Sequence, residues 1–287
     1  MRKYFLVGAT LLVLLGCILI YQNIIYDDKK LHIIVCDVGQ GDAILLRTPG
    51  GSDVLIDGGP DDSVLACLGK HMRFWDRTLE MVILTHPHAD HLNGLIAVSN
   101  YYKISSFISE NLKNNTADFS ELMKLVASKN IKTRYVYAGD KFLLGNNLTF
   151  QIVGPSKEFL DLTSPAGLID QATEQASLEI LINYQKFSAL LTGDSQAAEL
   201  EEAISSGLSR VDLLQVPHHG SRFGLNSDIL NILRPRIAVI SVGKNNKYGH
   251  PTAFVLDLLR SQKIRTLRTD EVGDIEVISD GSGWKID

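Results

Sequence analysis

The stretch THPHADHLNGL, residues 85–95, places three histidines and an aspartate within six residues. The whole chain has only eight histidines, so this stretch holds an unusual share of them. Desolvating several imidazoles and a carboxylate together is costly unless a cation compensates for the lost hydration. His86, His88, Asp90 and His91 therefore predict a metal site.

Further acids and imidazoles stand where predicted strands end and loops begin. Asp194 ends the segment LLTGD, the segment VPHHGS contains His218 and His219, and NKYGHP contains His250. Donors of these kinds, with no thiolate among them, suit Zn²⁺, Mn²⁺ or Fe²⁺. The sequence therefore predicts a metal site whose donors come from several loops.

Short apolar runs bounded by Gly, Pro or Asp alternate with segments of helical spacing. The strand MVILT ends directly before the histidine loop, and HLNGLIAVSN after it has the spacing of a helix, so strand and helix would fix the loop. Residues 154–175 have few apolar anchors and are predicted to form a long loop. Two β-rich halves with helices between them predict an α/β fold, with sheets packed face to face and helices outside. Other predicted strands include LHIIVCD, AILLRT, DVLID, TRYVYA, the hairpin FLLGNNLTFQIV, SLEILINY, FSALLTGD, VDLLQV, RIAVISV, IRTLRT and GDIEVIS.

The first thirty residues differ from the rest of the chain. Arg2 and Lys3 precede an almost wholly apolar run that extends to Ile25, about the 20 residues that a membrane-spanning helix needs. The positive residues predict a cytoplasmic N-terminus. A cleaved signal peptide and a lipoprotein processed at Cys17, which ends the segment LLGC, are alternatives. We favour an anchor over residues 1–30 and one folded domain over residues 31–287; all three readings place the domain outside the cytoplasm.

Charge and cysteine content narrow the function classes. A net charge of −5 and a sequence pI near 5.9 argue against a protein that binds nucleic acid mainly through bulk electrostatics. Cys36 and Cys67 lie far apart among apolar neighbours, and no spacing resembles a thiolate zinc site. They are predicted to be core thiols, with a disulfide between them left open in an oxidising compartment.

Six motifs occur in order along the chain, and the third contains HPHADH, which resembles the HxHxDH signature of the metallo-β-lactamase superfamily. Their order resembles the ComEC-like branch, which comprises the C-terminal metallo-hydrolase domain of a bacterial DNA-uptake protein and related free-standing hydrolases. The resemblance implies an αββα sandwich with metals at one edge. The motifs are DVGQGDA (37–43), LIDGG (55–59), LTHPHADH (84–91), LLTGD (190–194), VPHHGS (216–221) and NKYGHP (246–251).

The resemblance also implies two divalent ions, Zn²⁺ or Mn²⁺. The two histidines of HPH match ligands of the first ion, the DH pair matches ligands of the second, and the aspartate of LLTGD matches a carboxylate that bridges both. The histidine of NKYGHP matches the last ligand of the second ion. We favour His218 as the ligand that completes the first site and His219 as a group that faces substrate, and the opposite assignment stays open. The implied ligands are His86, His88, Asp90, His91, Asp194, His218 and His250.

Other residues are candidates for support or catalysis. Asp57 resembles the aspartate that orients ligating imidazoles, Asp90 is a candidate to orient the nucleophile, and His219 is a candidate donor to phosphoryl oxygens. The loop DVGQGD could approach the metals, or its carboxylates could simply cap a tight turn. The candidates for contact with substrate or ligands are Asp37, Gln40, Asp42, Ser221, Asn245 and Tyr248.

The resemblance implies an extracytoplasmic phosphodiesterase or nuclease linked to DNA uptake, with single-stranded DNA as substrate and an uptake channel as partner. One alternative is a phosphodiesterase that acts on a cell-envelope ester such as phosphorylcholine. The other is a metal-binding scaffold without turnover. The sequence predicts no oligomeric state.

Overall fold

The computed structural model describes residues 2–145, 147–169 and 176–287. In these ranges the helices are α1 (Arg2–Tyr26), α2 (Val64–His71), α3 (Ala89–Tyr101), α4 (Ala117–Ser128), α5 (Lys157–Thr163), α6 (Ala197–Ser205), α7 (Ser227–Leu233), α8 (Ala253–Ser261) and α9 (Thr269–Val272), with a 3₁₀ turn at Pro217–Gly220. The strands are β1 (Leu31–Val35), β2 (Ile44–Arg47), β3 (Asp53–Ile56), β4 (Thr78–Leu79), β5 (Met81–Leu84), β6 (Lys103–Ile104), β7 (Ser106–Ser109), β8 (Lys132–Tyr135), β9 (Lys141–Leu144), β10 (Leu148–Gly154), β11 (Glu179–Tyr184), β12 (Phe187–Leu191), β13 (Leu213–Gln215), β14 (Ile237–Ile240), β15 (Arg265–Arg268), β16 (Ile275–Ser279) and β17 (Trp284–Ile286).

Two large sheets form the centre of the fold. The first has the order β17-β16-β1-β2-β3-β5-β7-β8 and the second has the order β15-β14-β13-β12-β11-β10-β9, while β4 and β6 form a small pair. Each large sheet joins an antiparallel part to a parallel part. Helices lie between successive parallel strands along the chain, since parallel pairing needs a long crossover connection.

Alternating side chains along the strands build three apolar clusters. One lies between the sheets and includes Ile33 of β1 and Phe150 of β10. The second joins the outer face of the first sheet to α2, α3 and α4, and the third joins the outer face of the second sheet to α6, α7 and α8. The prediction of face-to-face sheets with helices outside is confirmed.

The segment predicted as a long loop contains a helix. β10 ends at Gly154, and α5 follows, with Ser156 Oγ accepting a hydrogen bond from the Phe159 N–H at 3.1 Å. Leu160 of α5 is buried, so this single apolar anchor and a capping serine suffice for a short helix. The loop prediction is wrong for this part, and its last six residues, 170–175, lie outside the described ranges.

Cys36 and Cys67 form a disulfide, with Cα atoms 5.8 Å apart. Cys36 directly follows β1, and Cys67 lies on the buried face of α2. The prediction of two free core thiols is wrong because α2 packs across the end of β1, a proximity that sequence separation conceals.

The helix α1 is long and apolar enough to cross a membrane, with a candidate span of 22 residues, Lys3–Ile24. Its end contacts the domain. The Tyr26 hydroxyl donates to the Lys70 carbonyl at 3.2 Å, and the guanidinium of Arg47 lies 4.6 Å from the centre of the Tyr26 ring. Only four residues, 27–30, separate α1 from β1.

The contact between α1 and the domain lies at the start of β1, and a different edge of the molecule lies at the end of this strand. β1 begins beside α1 at Leu31 and runs about 16 Å, at 3.3 Å per residue, to the loop that starts at Cys36. The parallel strands β3, β5, β12, β13 and β14 also end at that far edge. Loops that emerge there are therefore held together and away from α1.

Candidate metal centre

The candidate donors come from loops at the carboxyl ends of strands in both sheets. β5 leads into His86, and α3 begins at Ala89, so the histidine loop is held at both ends. Asp194 follows β12 of the second sheet, and the 3₁₀ turn after β13 carries His218 and His219. Ligand sites form commonly at such strand ends in α/β proteins.

Asp194 lies at the middle of the donors, and its two oxygens face different groups. Oδ1 is 3.4 Å from Nε2 of His91 and 3.5 Å from Nε2 of His219. Oδ2 is 3.9 Å from Nε2 of His86 and 3.8 Å from Nε2 of His218. The arrangement fits a carboxylate shared between two cations.

One donor group comprises His86, His88 and His218, together with Oδ2 of Asp194. Nε2 of His86 lies 3.0 Å from Nδ1 of His88. The ring of His250 lies beside this group, 5.7 Å from the ring of His218. His250 was predicted to be a ligand in the second site, but the structure does not bring it into that site.

The other donor group comprises Asp90, His91 and His219, together with Oδ1 of Asp194, and their donor atoms all lie within 4.8 Å of one another. The buried atoms His91 Nε2, His219 Nε2 and Asp194 Oδ1 have no hydrogen-bond partner. Such atoms are rare in folded proteins unless something satisfies them. A divalent ion with nitrogen and oxygen ligands fits this donor set.

The backbone explains why two neighbouring histidines reach different groups. His218 and His219 have φ values of 50° and 55°, the left-handed region that non-glycine residues seldom adopt. His219 is 3% exposed, and its Nδ1 donates to the Ser241 carbonyl at 2.9 Å. His219 therefore joins the donor group of Asp90 and His91, although the sequence favoured His218 as the ligand, and it also lines the cavity described below.

Asp57 supports donors in both groups. Its Oδ2 accepts hydrogen bonds from Nδ1 of His91 at 2.8 Å and from the Thr85 hydroxyl at 2.7 Å. The same hydroxyl oxygen lies 3.1 Å from Nδ1 of His86. Asp57 itself has a φ of 57°, backbone strain of the kind that is concentrated at functional sites.

The loop DVGQGD approaches the centre closely. A Cβ at Gly41 would lie 2.2 Å from the Asp90 carbonyl oxygen, so only glycine fits there. Asp42 is buried, accepts a hydrogen bond from the side chain of Gln215, and has Oδ1 at 3.6 Å from Nδ1 of His219. The Gln40 side-chain oxygen accepts a hydrogen bond from the Gly243 N–H at 3.2 Å.

Burial and mutual attraction shape the charges of the centre. Burial alone would lower the pKa of His219, but the carboxylates of Asp194 and Asp42 raise it to about 9. Burial opposes ionisation of Asp194, but the nearby imidazoles of His219 and His91 hold its pKa well below its ordinary value. Burial raises the pKa of Asp42 to about 6. The centre thus concentrates ionised groups away from water, an arrangement typical of functional sites.

A cavity of about 820 Å³ opens onto the donors. His88, Asp90, Asp194 and both members of the histidine pair face it, and its far wall consists of the loop before α4 and residues 168–169. None of its described lining residues is Lys, Arg or Glu. The remaining lining residues are Gln40, Ala89, Asn114, Asn115, Thr116, Leu168, Ile169, Tyr248 and His250.

Four predicted contact residues do not line this cavity: Asp42, which lies beside His219 as described above, and Asp37, Ser221 and Asn245. Asp37 is exposed, and its side chain caps the turn by accepting from the Gly39 N–H at 3.4 Å. Ser221 is buried and accepts from the Phe223 N–H at 3.4 Å, and Asn245 is exposed. For Asp37, the geometry corresponds to the alternative of a capped tight turn.

The sequence reasoning missed several supporting residues. Thr85 links Asp57 to His86, as described above. The Ser177 hydroxyl oxygen accepts from the Asp194 N–H at 3.0 Å, and Gln215 donates to Asp42. The sequence feature that could have identified Thr85 and Gln215 is a polar residue near the end of an otherwise apolar strand, as in MVILT and VDLLQV.

Comparisons with known proteins agree with this geometry. Residues 36–174 match the family model described as the Metallo-beta-lactamase superfamily. The chain is 26% identical over 280 residues to ComE operon protein 3 of Bacillus subtilis, an alignment that covers 91% of this chain and 35% of that protein. It is 24% identical over 259 residues to Competence protein ComA of Neisseria gonorrhoeae, covering 89% of this chain and 33% of that protein. The chain thus spans about a third of the length of these relatives.

A solved structure shares the fold. The metallo-beta-lactamase fold protein YhfI from Bacillus subtilis superimposes with a TM-score of 0.56 at 14% identity, covering 86% of this chain and 99% of that chain. At this identity the likeness concerns the fold alone. The resemblance predicted from the six motifs is confirmed.

Proposed function

Because residues 36–174 match the Metallo-beta-lactamase superfamily model, we propose that the chain is a membrane-anchored, extracytoplasmic hydrolase that cleaves phosphodiesters with two divalent ions, Zn²⁺ or Mn²⁺. Single-stranded DNA is the proposed substrate. The proposal rests on the Asp194 carboxylate, which is shared between the two donor groups: Oδ1 faces His91 and Oδ2 faces His86. A shared carboxylate suits ions that act as a pair.

The chemistry of such a pair suits phosphoryl transfer. When bound, two divalent ions would lower the pKa of a water molecule and neutralise the charge that develops on the phosphoryl oxygens. Asp90, whose side chain is 35% exposed toward the cavity, is positioned to orient the attacking water. Tyr248 and His250 line the cavity, and their rings stack on each other. Both side chains are candidates to contact the substrate.

The cavity lining supports a diester over a terminal phosphate. Terminal phosphates carry more charge and are commonly bound by Arg or Lys side chains, whereas the described lining has neither. Asn114, Asn115 and Thr116 instead offer neutral polar groups. This composition suits a singly charged phosphodiester that the ions themselves hold.

The proposed location rests on α1 and on the disulfide. Arg2 precedes the candidate span and Lys3 begins it, and these positive residues favour a cytoplasmic N-terminus. The Cys36–Cys67 disulfide suits an oxidising compartment. A DNA-uptake channel is part of this proposal as partner, since one relative is named a competence protein and the chain covers only 33% of it.

The proposal can be tested with the full chain purified in detergent. Bound metals would be counted, and Zn²⁺- and Mn²⁺-supplemented protein would be assayed on bis-p-nitrophenyl phosphate, labelled single-stranded DNA and choline phosphodiesters. Asp194→Ala should abolish every activity, whereas Asp257→Ala, an exposed carboxylate of α8, should not.

Each result of these assays has a distinct meaning. Cleavage of DNA supports the proposal as stated. Cleavage of the choline ester without DNA would favour the cell-envelope substrate. Equal rates for the wild type and Asp194→Ala on all three substrates would leave the metal-binding scaffold as the remaining reading.

A further inference from the structure

The edge of the domain opposite the metal centre carries exposed aromatic and basic side chains beside the end of α1. We propose that this edge docks onto the bilayer that α1 crosses and binds the headgroups of anionic lipids. This inference rests on the membrane anchoring proposed above. The edge, called the basal surface here, consists of Phe74, Trp75, Tyr101, Lys103, Lys129 and Lys132.

Its aromatic part is a pair of adjacent rings after α2. Phe74 and Trp75 are 49% and 41% exposed and contact each other edge to face, with centroids 4.7 Å apart. Tyr101, at the end of α3, is 68% exposed. Amphipathic aromatic rings favour the membrane–water interface, where one part of the ring is apolar and another is hydrated.

Its basic part is a groove of about 590 Å³, lined by Tyr101, Lys103, Lys129 and Lys132. No acidic residue lines the groove among the described residues, and all three lysines are exposed. Asp76 and Glu80, the acids nearest in sequence to the aromatic pair, accept backbone hydrogen bonds from Thr78 and Asp53. Each lysine near an anionic bilayer attracts it electrostatically.

The anchor emerges at this same edge. Tyr26, the last residue of α1, contacts the Lys70 carbonyl, three residues before Arg73 and the aromatic pair. Tyr26 also lies under Arg47, which is paired with Asp53 at the start of β3, and the Asp53 carbonyl accepts from the Glu80 N–H. The basal surface and the end of α1 therefore belong to one continuous face.

The strands connect this face to the opposite one. β5 and β7 begin just after the small pair β4–β6, where Lys103 lies, and β5 ends at the histidine loop. Docking of the basal surface would therefore turn the cavity of the metal centre away from the bilayer. The orientation favours polymers in the surrounding solution over the lipids of the same membrane.

The experiment measures how close Trp75 lies to lipid. Full-length Trp284→Phe protein, in which Trp75 is the remaining tryptophan, would be reconstituted in vesicles of phosphatidylcholine and phosphatidylglycerol with brominated acyl chains, which quench indole fluorescence. A matched variant with Trp75→Phe, Trp284→Phe and Phe223→Trp places the probe at a 62% exposed position after the 3₁₀ turn, on the side of the metal centre.

Docking predicts that Trp75 emission falls about twofold in brominated vesicles, because interfacial rings reach the acyl boundary, whereas the Phe223→Trp probe is unaffected. Combined Lys103→Gln, Lys129→Gln and Lys132→Gln substitutions, or removal of phosphatidylglycerol, should reverse the quenching. Each lysine lost should lower the equilibrium constant for docking by roughly fivefold. Retained metal binding would confirm that each variant is folded.

Other outcomes separate this inference from the proposed anchoring. Protein that co-floats with vesicles while Trp75 stays unquenched, or while both probes are quenched equally, overturns the docking and leaves the anchoring intact. Protein that fails to co-float overturns both.

Discussion

Asp57 accepts a hydrogen bond from Nδ1 of His91 at 2.8 Å, and both side chains are buried. The bond directs Nε2 of His91 toward Asp194, which lies at 3.4 Å. Through the Thr85 hydroxyl, the same carboxylate also reaches Nδ1 of His86. One side chain that lies outside the cavity therefore orients an imidazole in each donor group.

Replacement of Asp57 by alanine should weaken metal binding by about 10- to 100-fold, the usual effect of losing a partner that orients a ligand. The variant would be titrated with Zn²⁺ against a chelating dye, with the number of ions per chain counted separately. Asp257→Ala, exposed on α8, serves as the matched control. Unchanged affinity would show that the imidazoles are oriented without Asp57.

Gly41→Ala should destabilise the fold by about 2 kcal/mol or more, because overpacking and an unfavourable φ add together. The new Cβ would lie 2.2 Å from the Asp90 carbonyl oxygen, at a φ of +147°. Gly39 has a φ of +75° with open space around it, so Gly39→Ala tests the backbone effect alone. Urea unfolding of the two variants should separate them, and equal losses would argue against the close approach.

Removal of the disulfide should cost about 3 to 4 kcal/mol, the value that loop-closure entropy gives for the sequence separation of 31 residues between Cys36 and Cys67. Cys36→Ala, Cys67→Ala and the double variant should lose similar amounts of stability, measured as the free energy of unfolding in denaturant. Cys17→Ala, in α1, should change little. A stability loss confined to one of the two single variants would indicate a packing effect instead.

The free energy of unfolding should fall as pH rises from about 4.5 to about 8 because of Glu179. Burial raises the pKa of this carboxyl to about 8 from an ordinary value of 4.5, so the folded protein holds a proton that the unfolded chain has released. Glu179→Gln should therefore be more stable than the wild type near pH 8 and should show a flatter pH profile.

Denaturant unfolding across this pH range would test the effect, with Glu158→Gln, exposed on α5, as the control. Glu110 is also buried, and burial together with the charge of Glu179 raises its pKa. A Glu179→Gln profile parallel to that of the wild type would contradict the assignment of the proton to this carboxyl.

The sequence allowed prediction of the donors that lie in compact motifs. His86, His88, Asp90 and His91 share one loop, and the pattern of MVILT and HLNGLIAVSN placed that loop between a strand and a helix. The sequence could not show that His218 and His219 belong to different donor groups. Their placement follows from two left-handed backbone conformations, which the pattern of side chains does not predict.

The remaining differences arise where distant segments pack together. The disulfide depends on α2 crossing the end of β1, and α5 depends on one buried leucine and one cap. His250 was assigned by motif order, whereas the loop that carries it ends beside His218. Each outcome reflects tertiary contacts between segments that are far apart in the chain.

The donors are shared between the two sheets, since His86 and His91 follow a strand of the first sheet and Asp194 and His219 follow strands of the second. Ions held between them would cross-link the two sheets. Because unfolding must release those ions, added metal should raise the unfolding temperature of the whole domain as a single cooperative unit. A fragment that stops before residue 194 would keep the histidine loop yet lack the carboxylate that joins it to the other half.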